Sequence, residues 1–90
     1  MTKFDLGKIT ISESIKEKLG EETIQAALKR HADGDWGYAP KMNALQNEQT
    51  AREGGPGVIL SEYSDSNNLE FWVVTDTMLQ ETSVFIPEKE

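Results

Sequence analysis

The sequence has no cysteine, one histidine, three prolines and, past residue 52, almost no basic side chains. Each shortage closes off a class of protein. Without sulfur there is neither a disulfide scaffold nor a cysteine zinc site. A lone histidine leaves little choice of ligand or base for a metal centre or an acid/base machine. No apolar run approaches the roughly 18 residues of a membrane span, and Thr2-Lys3-Phe4-Asp5 lacks the apolar stretch of a secretory leader; the expected setting is the cytoplasm, away from membranes. Residues 53–90 carry the acids Glu53, Glu62, Asp65, Glu70, Asp76, Glu81, Glu88 and Glu90 against Lys89 alone, whereas residues 1–52 hold eight acids and eight bases, so the whole net charge of −7 falls in the second part. Such a chain is not drawn to a phosphate backbone, but it suits a basic or DNA-binding protein partner.

What is present fits one α+β domain spanning residues 1–90, whose 37% apolar content allows only a thin core. Phe4 to Ile11 alternates as an N-terminal strand, with Gly7 as a candidate bulge. Ser12 is placed to cap a short helix from Glu13, whose apolar stripe is Ile15 and Leu19 and which Gly20 stops. A second helix opens on Glu21 and Glu22, buries Ile24, Ala27, Leu28 and His31 at i, i+3, i+4, i+7 spacing, and ends before Gly34. After a turn-rich loop, Pro40 suits the first turn of a third, polar helix running to about Arg52, with Met42, Leu45 and Gln49 as its best inward stripe. Gly54-Gly55-Pro56-Gly57 breaks the helical period. Val58 to Ser64, Leu69 to Asp76 and Thr82 to Ile86 then read as a three-stranded antiparallel meander, with the helices packed on one sheet face.

Two places are candidates for chemistry or recognition. The first is the loop at the end of the second helix. His31 with Asp33 and Asp35 has the donor types of a cation site or a proton shuttle, which makes a small enzyme or metal-binding protein the competing reading. The simpler account is structural. His31 continues an apolar stripe, where it can pack and donate to a free carbonyl, and Asp33 and Asp35 flank Gly34 as turn residues do. Trp36, between glycines, is either an exposed partner anchor or a plug over the end of the core. No serine sits in a strand-turn-helix context that would activate it, no glycine-rich loop carries a phosphate-binding lysine, and no cofactor is expected. Asn43 and Asn47 share a face of the third helix and read as a solvated polar surface.

The second place is the sheet. Alternation sends Leu69, Phe71 and Val73 one way and Glu70, Trp72, Val74 and Asp76 the other, so both faces carry large apolar groups. Helices cover one face. The other, an aromatic surface with carboxylates at Glu62, Glu70 and Asp76 around Trp72, is the candidate partner-binding surface, or alternatively the interface of a structural homodimer.

In order along the chain, Arg30-His31, Gly34-Asp35-Trp36-Gly37, Asn47-Glu48, Ser61-x-Tyr63, Phe71-Trp72-Val73-Val74-Thr75 and the segment Thr82 to Pro87-Glu88 resemble the pattern of a group of small, largely uncharacterised bacterial proteins carried on plasmids, integrative elements and phages. Only the Gly-Asp-Trp-Gly stretch is distinctive. The chain departs from the group at Tyr38-Ala39-Pro40, where acidic residues are usual, and at Met78-Leu79, where the group has an acidic-arginine turn. The resemblance implies an accessory protein of a mobile element and brings no activity, cofactor or catalytic residue with it. Composition and resemblance together lead to the expectation of a non-catalytic acidic interaction module. Its sharpest form is an anti-defence protein whose carboxylates mimic DNA phosphates.

Overall fold

The computed structural model describes residues 2–87. Glu88, which figures in both the charge distribution and the resemblance, lies outside them. The chain folds as β1 (Lys8–Thr10), α1 (Glu13–Leu19), α2 (Glu21–Ala32), α3 (Lys41–Glu53), β2 (Val58–Ser64), β3 (Glu70–Asp76) and β4 (Glu81–Phe85). This is the expected α+β class. The helix boundaries follow the predicted signals: the Ser12 hydroxyl accepts from the Ile15 amide, and Gly20 ends α1 at φ 82°.

The four strands form one sheet in the order β1-β4-β3-β2. The meander β2-β3-β4 is antiparallel as expected, but β1 joins it parallel to β4, so the sheet is mixed. β1 is also shorter than the alternation predicted. Gly7, at φ +66°, turns the chain, and a side chain there would run into the Gln80 carbonyl.

Strand parity divides the sheet into an inner and an outer face. Ile59, Ser61, Tyr63, Phe71, Val73, Thr75, Thr82 and Val84 are buried on the inner face. Against it α1 and α2 bring Leu19, Ile24, Ala27 and Leu28, closing the core with help from Leu6, Ile11 and Ile15.

α3 departs from the expected layering: it packs against β2 rather than lying over the sheet. Its predicted stripe is on the wrong side, with Met42 71% and Leu45 57% exposed. The buried residue is Asn47, whose side-chain amide donates to the Leu60 carbonyl at 2.6 Å while its oxygen accepts from the Leu60 amide at 3.0 Å. An edge strand needs hydrogen-bond partners more than it needs apolar cover, so a polar stripe faces it and the apolar residues turn outward. One residue pair further along, the Glu62 amide donates to the Trp36 carbonyl and the Tyr38 amide to the Glu62 carbonyl, at 3.2 and 2.7 Å. Helix and loop together thus occupy the free edge of β2.

Candidate functional site

The register places Glu62 beside Trp72 and Trp72 beside Phe85 across the three strands of the outer face, with Glu70 opposite Ser64 and Asp76 between Val58 and Glu81. The predicted partner-binding residues Glu62, Glu70, Trp72 and Asp76 therefore share one face. Trp72 and Phe85 meet edge to face with centroids 5.6 Å apart. The bridge that fixes the loop to β2 also brings in Tyr38, 76% exposed, which was not among the candidates. Tyr38, Glu62, Ser64, Glu70 and Trp72 line an open cleft of about 250 Å³. Neither Glu62 nor Glu70 has a basic partner among the described residues. Two carboxylates without a basic partner, lining one cleft with two aromatic side chains, offer a cationic side chain both charge and aromatic contact.

Asp76 has a different job. Its carboxylate accepts from the Met78 and Leu79 amides at 3.0 and 3.2 Å and so builds the β3–β4 turn. The pairing of β1 sets Lys8 next to Glu81 at the same end of the sheet, which dilutes the acidic character there. The acidic surface is concentrated at the Glu62–Glu70 end.

His31 is wholly buried and does not meet Asp33 or Asp35. Asp33 pairs with Lys29 and Asp35 with Arg30, at 2.8 and 2.7 Å on the surface, and these cations hold both carboxyls below their ordinary range. Among the described residues no three His, Asp or Glu side chains converge as metal ligands. The imidazole is instead held in an interior chain: Ser61 Oγ lies 2.6 Å from Nδ1, Thr75 Oγ1 lies 2.9 Å from Nε2, Thr75 and Thr82 hydroxyls are 2.7 Å apart, and Thr82 donates to the Leu6 carbonyl at 2.6 Å.

The last bond fixes the next two. Thr82 spends its proton on Leu6, so Thr75 donates to Thr82 and His31 Nε2–H donates to Thr75. Burial keeps the ring neutral, so its proton is on Nε2 and the bare Nδ1 accepts from Ser61. The same burial pushes the imidazole pKa down to about 4. The serine-to-imidazole contact has the reach of a nucleophile and base, but both groups are fully buried, and a threonine hydroxyl stands where an orienting carboxylate would be. The predicted bond from His31 to a helix-end carbonyl is replaced by these hydroxyls.

The Gly-Asp-Trp-Gly loop is built around the same interior. Trp36 is 8% exposed, so this candidate anchor is a plug: its ring stacks on Phe4 and meets His31 edge to face. Its indole N–H donates to Glu48 at 3.2 Å, and the same carboxylate is paired with Lys3. Gly37, at φ +65°, is forced by contact, because a Cβ there would strike the Glu62 carbonyl and the Tyr63 ring. Asp35 accepts from the Gly37 amide, and its own carbonyl takes the Tyr63 hydroxyl. Burial raises the Tyr63 phenol to about 12, and the Arg30 guanidinium lies 4.5 Å above that ring. The motif Arg30-His31-x-x-Gly34-Asp35-Trp36-Gly37 thus acts as a structural clasp that ends by presenting Tyr38 to the outer face.

No protein-family model, curated protein or solved structure matches the chain. Among the described residues no helix is long and apolar enough to cross a membrane.

The residues missed from sequence were Tyr38, Ser61, Thr75 and Thr82, while Asn47, expected on a solvated polar surface, is instead buried against the edge of β2 because its amide pairs with the Leu60 main chain. For the three hydroxyls a signal was present: each occupies an inward strand position where an apolar residue is the norm, and the chain's one histidine points from the facing helix.

Proposed function

We propose that this chain is a non-catalytic protein-interaction module that holds a basic side chain of a nucleic-acid-handling partner in the cleft between Tyr38 and Trp72. The observation that carries the reading is the pair of carboxylates, Glu62 and Glu70, which have no basic partner among the described residues and line one open cleft with the exposed Tyr38 and the half-buried Trp72. A cation entering it gains attraction from both acids and from the ring faces. The charge distribution supports a partner that ordinarily holds DNA, with the carboxylates standing in for phosphates. The resemblance to mobile-element proteins supports an accessory or anti-defence role.

The test starts from partners recovered with this protein from its host cell. Binding should weaken steeply from about 50 to about 500 mM salt, compete with duplex DNA, and fall at least roughly tenfold in a Glu62→Gln/Glu70→Gln double variant that melts normally. A complex that forms equally well at high salt, or that leaves the partner's DNA binding untouched, would sink the reading.

A further inference from the structure

The two edges of the sheet differ. On β2 the outward main-chain groups of Leu60 and Glu62 are all taken, by Asn47 and by the Trp36–Tyr38 loop. On β1 they are not. Lys8 donates to the Gln80 carbonyl and the pairing with β4 is parallel, so Lys8 and Thr10 direct both main-chain groups toward β4 while Ile9 directs its N–H and C=O away from the sheet. All three β1 residues are exposed, Ile9 at 44%. Beside this edge, α1 and α2 leave a groove of about 500 Å³ whose lining mixes the isoleucines Ile9, Ile11 and Ile24 with Lys16, Glu17, Glu21 and Gln25. Its position is where the inward side chains of one more strand would lie.

We propose that the occupant is a second copy of this chain, added antiparallel at β1 about a two-fold axis through Ile9. Three features favour a copy. In that arrangement Ile9 faces Ile9, and each donates its N–H to the other's C=O. The half-exposed isoleucine of each copy is brought against the isoleucines of the other's groove. The groove lining carries both signs of charge, as a surface that must match itself requires. The closed β2 edge then sets the limit: each chain has one open edge, so association stops at a dimer with an eight-stranded sheet instead of continuing as a filament. The contact rests on a three-residue strand, which places it among weak interfaces, with dimer forming on the order of 100 µM. The β1 groove and the acidic cleft share no lining residue.

Sedimentation velocity on the full chain over about 5 to about 500 µM tests it, alongside amide exchange. The expected result is a mass rising from 10.1 kDa toward twice that value and no further, with the Ile9 amide, exposed in one copy, becoming protected as concentration rises. Ile9→Lys, which puts a charge in the groove, should remain monomeric with an unchanged melting temperature. Ile9→Pro, which removes only an outward N–H, should do the same, and either variant suffices if the other fails to fold. A protein that stays at 10.1 kDa throughout, a dimer indifferent to both variants, or growth beyond the dimer would overturn the proposal.

Discussion

His31 shows how a single residue is determined by bonds several positions removed from it. Because Thr82 gives its proton to the Leu6 carbonyl, Nε2 must carry the proton of the neutral imidazole, and burial disfavours a second one on Nδ1. The consequence for stability has a definite sign. The folded-state pKa of about 4 lies below the ordinary 6.5, so between those values the unfolded chain binds more protons. Stability is therefore full above pH 6.5 and is lost as pH falls toward 4, by at most about 3 kcal/mol from this group. Urea melts across that range should show the slope in the native protein, and His31→Gln should flatten it while lowering stability at pH 7. A native protein equally stable at pH 7 and pH 4.5 would refute the assignment. The carboxyls of Asp33, Asp35 and Glu48, lowered by Lys29, Arg30 and Lys3, add a further loss of the same sign at more acidic pH.

Elements were legible to the extent that their determinants were local. Ser12, Gly20 and the i, i+3, i+4, i+7 stripe of α2 are signals contained within one turn or one helix, and those boundaries came out as read. The strands of the meander were equally plain. α3 was misread because its environment is an edge, and no local pattern announces that a helix will face main-chain groups instead of side chains. Asn47 is the diagnostic residue. Its amide reproduces the donor and acceptor of a strand peptide, so losing it leaves two main-chain groups of Leu60 unpaired at a partly buried position. Asn47→Ala should cost about 2–3 kcal/mol by chemical denaturation. It should also open β2 to edge-to-edge association, seen as light scattering that the native protein does not develop. Asn47→Asp, which sets a buried carboxylate oxygen against the Leu60 carbonyl, should cost at least as much. A near-neutral Asn47→Ala would mean that α3 is held by other contacts.

At the scale of the whole molecule the two proposed surfaces differ in charge. The outer face near Glu62 and Glu70 bears acids without cations, while the β1 edge lies between helices whose charges balance. Salt should therefore act in opposite directions. Partner binding at the cleft weakens as charges are screened, whereas self-association of two chains of net charge −7 strengthens because their mutual repulsion is screened. Measuring both on one preparation, from about 50 to about 500 mM salt, separates the surfaces without any mutation; parallel trends would mean that they are one surface. The face itself was legible from strand alternation. The cleft was not, since Tyr38 reaches it only through a loop-to-strand bridge between residues 37 and 62.

The interior hydroxyl chain also makes the molecule easy to watch. With one imidazole in the sequence, held in one tautomer, the nitrogen spectrum of this protein carries a single, unambiguous ring signature. Ser61 reaches that ring from β2, Thr75 from β3 and, through Thr75, Thr82 from β4. One resonance pair is thus a strain gauge for the register of three strands, and any ligand that shifts the sheet will be heard there first.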